Sequence, residues 1–214
     1  SGQTHFSVLP LVAKQCGIPS LELQHGLEHL GVGSSSKEHN AEYVGVYGPL
    51  VRDELISIGY TREKIRDIGS PRFDSYQAPI ATTVLRPFTV LCIAPDVRPF
   101  EMNDSYAAEE YFTAVAEAVE PVKDAQIIIK LRPGPANEHL LRMIVAKAFT
   151  HVSYTIAQYE PLPSLFSKVD VVVSGNSTTI LEALQCKMPV IISASAPLDA
   201  EIVRFHFSRY RDAQ

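Results

Sequence analysis

The sequence predicts an α/β protein, a Rossmann-like and mostly parallel sheet with flanking helices. Apolar β-rich runs alternate along the chain with amphipathic helical runs, which is the pattern of βαβ units. Runs such as QIIIKL (126–131) and DVVVS (170–174) are apolar at every central position, as strands covered on both faces require. Gly and Pro punctuate the junctions between the runs. With 214 residues, 46% hydrophobic and 20% charged, the composition is that of a soluble globular protein of one large or two small domains.

The first helix is expected from His5 to Gln15, stopped by Cys16-Gly17-Ile18-Pro19. A strand over 19–24 (PSLELQ) ends at His25-Gly26. Residues 31–40 (GVGSSSKEHN) read as a polar loop, and 43–47 (YVGVY) as a short strand. Gly48-Pro49 opens a helix reaching Ile58, and 64–68 is extended until Gly69-Ser70-Pro71 breaks it. The stretch 77–87 carries two prolines and no periodicity, so it reads as a linker. Two lobes are therefore expected, over 1–78 and 88–214, with 79–87 between them. The second lobe is more regular. Strands are expected at 89–94, 126–131, 152–156, 170–174 and 189–193. Helices are expected from Asn103 or Asp104 to Val119, and over 137–149, 162–168, 177–185 and 198–209. Tyr111, Phe112 and Val115 at helical spacing read as core packing.

The formal net charge of −5 and the scattered basic residues argue against a nucleic-acid partner. Cys16, Cys92 and Cys186 are far apart and set in apolar runs, so they are expected to be buried thiols of a reducing, cytoplasmic compartment. No CxxC pair occurs, and a His25, Glu28, His29 grouping is too loose for a metal, so no metal site is expected. No run has the length of a membrane span and no signal peptide opens the chain, which leaves peripheral membrane association open. Ser1-Gly2 reads as a cloning remnant, and the chain opens inside a helix pattern.

Chemistry concentrates in 171–192, VVVSGNSTTILEALQCKMPVII. A buried strand runs into Ser174-Gly175-Asn176-Ser177-Thr178-Thr179, and a helix starts at once. Free N–H groups of a first helical turn and three hydroxyls suit a phosphate or pyrophosphate, and Glu182, one turn on, suits ribose hydroxyls. The plainer reading is N-capping by Asn176 or Ser177, with Glu182 on the surface. This run resembles the donor-binding strand–helix–strand of GT-B glycosyltransferases. The resemblance implies phosphate contacts for Ser177, Thr178 and Thr179 and a ribose contact for Glu182.

Three further segments bear on the reading. QIIIKLRPGP (126–135) ends a strand in cations at a prolyl turn, which aims Lys130 or Arg132 over the crevice. Related GT-B enzymes carry His-Pro there. Arg132-Pro133 disfavours proton donation and points to electrostatic stabilisation of a leaving group. In Ala94-Pro95-Asp96-Val97-Arg98 only Arg98 suits phosphate, and a solvated loop is the plainer reading. Leu23-Gln24-His25-Gly26 resembles His-Gly runs of capsule and teichoic-acid polymer transferases. His25 could take a proton from an acceptor hydroxyl, or simply bond a turn. Gly69 to Asp74 resembles the G-x-P-x-x-D passage at the end of a GT-B first lobe, and reads as a hinge turn.

The resemblance implies a GT-B C-terminal lobe preceded by the end of an N-terminal lobe. A complete two-lobed enzyme by the usual domain sizes needs more than about 300 residues, so the chain is expected to be a fragment. The activity implied is transfer of a sugar or glycerophosphate from a nucleotide-activated donor to a carbohydrate or lipid-linked acceptor. His25 would be the base, with Lys130, Arg132 and the 174–179 turn on the diphosphate, and no separate cofactor. A non-hydrolysing UDP-N-acetylglucosamine 2-epimerase and a non-catalytic nucleotide-binding module are the alternatives.

Overall fold

A computed structural model describes residues 3–25, 40–74, 76, 86–97, 102–134, 138–175 and 177–193. The Arg98 reading, the Glu28 and His29 grouping, Asn176 and the helix expected over 198–209 lie outside the described residues. The chain divides into two compact units, Ser1–Asp74 and Ser75–Gln214.

Unit 1 carries helix α1 (Gln3–Gln15), strand β1 (Leu21–Leu23), β2 (Tyr43–Val46), helix α2 (Pro49–Ser57) and β3 (Ile65–Asp67). The strands form a parallel sheet in the order β1-β2-β3. Pro49 opens α2, where its missing N–H costs nothing. One face of the sheet is closed by α2: Val44, Val46 and Ile65 pack on Val51 and Leu55. On the other face Ile68 and Leu23 lie so close over Gly45 that a Cβ there would meet Ile68 Cδ1 at 2.6 Å. Leu21 and Leu23 remain exposed on that face, and Val8, Leu9, Leu11 and Val12 of α1 are exposed as well. Cys16, just past α1, is exposed as well, contrary to the burial its apolar neighbours suggest. Those neighbours are themselves exposed, so among the described residues there is no local core to take the thiol in.

Unit 2 holds a five-stranded parallel sheet in the order β6-β5-β4-β7-β8. Its strands are β4 (Thr89–Ile93), β5 (Gln126–Lys130), β6 (Tyr154–Ala157), β7 (Val171–Ser174) and β8 (Val190–Ile192). Helices α3 (Met102–Val119) and α4 (Glu138–Ala148) cover one face. The short helices α5 (Leu162–Phe166) and α6 (Thr179–Gln185) cover the other. Alternation sorts the strand side chains between two cores. Val90, Cys92, Ile127, Ile129 and Val173 face α3 and α4. Leu91, Ile93, Ile128 and Val172 face α5 and α6. Tyr111 and Phe112 of α3 are buried in the first core, and Tyr111 Oη donates to the Val173 carbonyl at 3.0 Å. At the amino ends of the strands, Asp170 accepts from the Arg86 guanidinium (2.7 and 2.8 Å) and from Thr89 N–H (2.8 Å). That clamp fixes where the chain enters the sheet. Among the described residues no helix is long and apolar enough to cross a membrane.

Burial pushes the Cys92 thiol up to about 12, and raises Cys186 as well. A buried thiol held protonated does not react as a nucleophile. Iodoacetamide at about pH 8 is therefore expected to alkylate Cys16 in the folded chain and to reach Cys92 and Cys186 only after denaturant is added, as read by peptide mass spectrometry.

Candidate functional site

The sheet order reverses between β4 and β7: β5 and β6 run out on one side of β4, β7 and β8 on the other. The carboxyl ends of β4 and β7 therefore flank the crevice where open α/β sheets take ligands. The register places Ala157, Lys130, Ile93, Ser174 and Ile192 in one row across the strand ends. Alternation turns this row toward α5 and α6, because Ile128 and Val172, two residues back, pack there. Lys130 and Ser174 thus stand on one face with Ile93 between them, about 10 Å apart at two strand spacings.

Both groups are buried polar side chains at the rim of an apolar sheet. Ser174 has 0% exposure, and its Oγ has no hydrogen-bond partner among the described residues. Lys130 is 9% exposed, and its ammonium donates to the backbone carbonyl of Gln158. Among the described residues it forms no ion pair. Burial pushes its pKa below the usual lysine range, while the charge of Glu160 pulls the other way. Glu160 itself is engaged by Lys168 and by Ser164 Oγ.

The turn after Ser174 leads straight into α6. Gly175, Ser177, Thr178 and Thr179 are all half-buried. Ser177 Oγ accepts from Thr179 N–H at 3.3 Å and donates to Thr179 Oγ1 at 3.2 Å, so part of the local capping expected of Ser177 is present. Glu182 has 0% exposure, and its charge helps raise the Cys186 thiol. It is therefore an interior residue of α6 rather than the surface residue of the plainer sequence reading.

Arg132 goes elsewhere. The strand ends at Lys130, Leu131 packs into the core under α3 and α4, and Gly134 turns the chain with φ of +135°. Arg132 emerges on an exposed turn and donates to Asp96 at 3.0 Å. The two cations of the KLRP run thus point to different environments. Arg132 and Asp96 line a cleft with Pro95, Val97, Glu138, Gln158 and neighbouring residues. Asp96, Glu138 and Gln158 in these roles were not read from the sequence. For Gln158 a signal existed: it is the polar residue that directly follows the last buried position of a strand, and its side chain donates to Gly134 O (3.1 Å) and Glu138 Oε2 (3.0 Å).

In unit 1, Gln24 is buried and its Oε1 accepts from Tyr47 N–H at 2.7 Å, which ties the end of β1 to the end of β2. His25 follows it, exposed at the carboxyl edge of that sheet. The Gly69 to Asp74 passage forms a 3-10 turn over Pro71–Phe73, and Phe73 packs edge-on against Tyr47 at 5.5 Å. Among the described residues no three His, Cys, Asp or Glu side chains gather as a metal site.

Residues 100–201 match the family model described as capsule polysaccharide biosynthesis protein. No curated protein sequence matches the chain. Solved structures do. A putative UDP-N-acetylglucosamine 2-epimerase from Listeria monocytogenes is 14% identical with a TM-score of 0.57, over 90% of this chain and 56% of that one. The S. aureus MnaA-UDP co-structure is 15% identical with a TM-score of 0.57 and the same coverage. Anabaena HepE in complex with UDP and glucose is 14% identical with a TM-score of 0.52, over 97% of this chain and 67% of that one. The chain spans little more than half the length of the first two (56%).

An unpartnered buried hydroxyl costs about 1–3 kcal/mol, and a desolvated ammonium without a counter-charge is also unfavourable. Ser174→Ala and Lys130→Met are each expected to leave the ligand-free chain as stable as wild type or more stable, by about 1 kcal/mol. Urea unfolding followed by circular dichroism checks this; a loss of about 2 kcal/mol or more on Ser174→Ala would show that the hydroxyl has a structural partner, and the same loss on Lys130→Met that its bond to the Gln158 carbonyl outweighs the cost of burying the ammonium.

With its two parallel sheets flanked by helices and these structural neighbours, the chain has the fold of the GT-B proteins, and its residues 100–201 match the family model of capsule polysaccharide biosynthesis proteins.

Proposed function

We propose that the chain is the nucleotide-binding part of a GT-B glycosyltransferase of surface-polysaccharide synthesis. Such an enzyme moves a sugar, or a glycerophosphate, from a nucleotide-activated donor to a carbohydrate or lipid-linked acceptor. The observation that carries the reading is the buried pair Lys130 and Ser174. One offers an ammonium without an ion-pair partner among the described residues, the other an unsatisfied hydroxyl, and they share one face at the switch point of the sheet. A diphosphate supplies the charge and the acceptors this pair lacks, and the half-buried Gly175, Ser177, Thr178 and Thr179 line the next turn. The capsule polysaccharide match over 100–201 supports the direction of the chemistry.

In this reading the departing diphosphate is stabilised by Lys130 and the 174–179 turn, with Arg132 a more distant cation held by Asp96. Glu182 faces the ribose side, and His25 is the base that takes the acceptor proton. A nucleotide-sugar 2-epimerase is the second reading, because the Listeria structure bears that description. Incubating the chain with UDP-N-acetylglucosamine alone separates the two, since epimerisation proceeds without an acceptor.

The binding claim is tested by thermal shift and calorimetry with UDP, CDP, CMP and GDP. At about 100 times its Kd a nucleotide adds about 2.7 kcal/mol of stability, so at least one is expected to raise Tm clearly. Lys130→Met is expected to weaken that nucleotide about tenfold or more. If none of the four binds, or the variant binds like wild type, the phosphate assignment is wrong.

A further inference from the structure

Lys130 is buried at the carboxyl end of β5, and among the described residues its ammonium is held by the backbone carbonyl of Gln158. A lysine carries its charge on a flexible stem, so the acceptor decides where the ammonium stands. That acceptor lies beyond the sheet ladder: the pairing of β5 with β6 ends at Lys130 and Ala157, and Gln158 is the next residue. Something other than strand pairing must therefore fix the Gln158 carbonyl.

Its own side chain does so. Gln158 is 8% exposed, and its amide nitrogen donates to Gly134 O at 3.1 Å and to Glu138 Oε2 at 3.0 Å. These acceptors sit on two segments, the turn after β5 and the first turn of α4. Two donations in different directions fix the amide plane and with it the rotamer. Glu138 is held in turn: Arg142 Nε, one turn on in α4, donates to its Oε1 at 2.7 Å. The bonds from Arg142 and Gln158 keep this carboxyl below its usual range, so it stays an ionised acceptor.

We infer that Gln158 is the positioning residue of Lys130: its side-chain amide, locked on Gly134 O and Glu138, holds its own carbonyl where it sets the ammonium at the sheet rim. An ammonium has three N–H donors, so one can stay on the carbonyl while the others meet an anion. A carboxylate or an alkyl side chain at 158 could not make either donation. The role rests on the proposed diphosphate site for its meaning, while the hydrogen-bond chain from Arg142 through Glu138 and Gln158 to Lys130 belongs to the chain itself.

The test follows the Lys130 ammonium by 1H–15N NMR, its signal assigned by its loss in Lys130→Met. An ammonium held on an acceptor away from water exchanges its protons slowly enough to be seen near neutral pH, and a solvated one does not. The signal is expected in the wild type and in Glu138→Gln, whose amide oxygen still accepts from Gln158. It is expected to vanish in Gln158→Met, which keeps the length of the side chain and loses both donations, while the dispersed backbone amide signals of the folded sheet remain. Pyrophosphate is expected to bind Gln158→Met about fivefold more weakly than wild type, and Glu138→Gln like wild type. Should Gln158→Met fail to fold, Glu138→Ala, which removes one of the two acceptors, replaces it with the same expectation. No ammonium signal in the wild type, a signal that persists in Gln158→Met, or an unchanged pyrophosphate affinity in that variant overturns the positioning role. Failure of pyrophosphate to bind the wild type counts against the diphosphate site instead, and the ammonium signal still decides the part played by Gln158.

Discussion

A parallel sheet covered by helices on both faces must be apolar nearly throughout, and that requirement leaves its carboxyl rim as the place for chemistry. In unit 2 the strand interiors obey it: Leu91, Cys92, Ile129 and Val172 have 0% exposure. Among the described residues the buried polar groups of that unit are Thr89, Lys130, Gln158, Ser174 and Glu182. Thr89 sits at the opposite, amino end, where its N–H and hydroxyl are bonded to Asp170 and Pro87. Lys130, Gln158 and Ser174 are at the carboxyl ends of three strands. Polar side chains are expensive in such an interior, and these three stand together at its carboxyl edge.

The rim is divided by the pleat. Lys130 and Ser174 face α5 and α6, whereas the side chain of Gln158 reaches the α3 and α4 side and its carbonyl still accepts from Lys130. Gln158 thus touches both environments through different atoms. One environment is cationic and under-satisfied, the other charge-compensated and fully bonded.

The strands of unit 2 were legible because each is an apolar run closed by Gly, Pro or a polar residue. The expected 89–94, 126–131 and 170–174 differ from the observed strands by one residue at an end. Ser174 and Lys130 were legible as strand-end residues for the same reason, being the polar residues that end such runs. The separation of Lys130 from Arg132 was not, because it depends on the strand stopping at Lys130 and on the turn at Gly134. The partners Asp96, Glu138 and Gln158 lie 36 residues or less along the chain from Arg132 but on three different elements, and only the strand order brings them together. Cys16 was misjudged because apolar neighbours in sequence are not a core until another element covers them.

The central claim is that the anionic part of a nucleotide completes the Lys130 and Ser174 pair. A crystal structure of the chain grown with UDP tests it most directly. Diphosphate oxygens within hydrogen-bonding distance of Lys130 Nζ or Ser174 Oγ, on the α5 and α6 side of the sheet, are the predicted result. A diphosphate seated on Arg132 on the other face, with the Lys130 ammonium still on the Gln158 carbonyl and the Ser174 hydroxyl untouched, would contradict it.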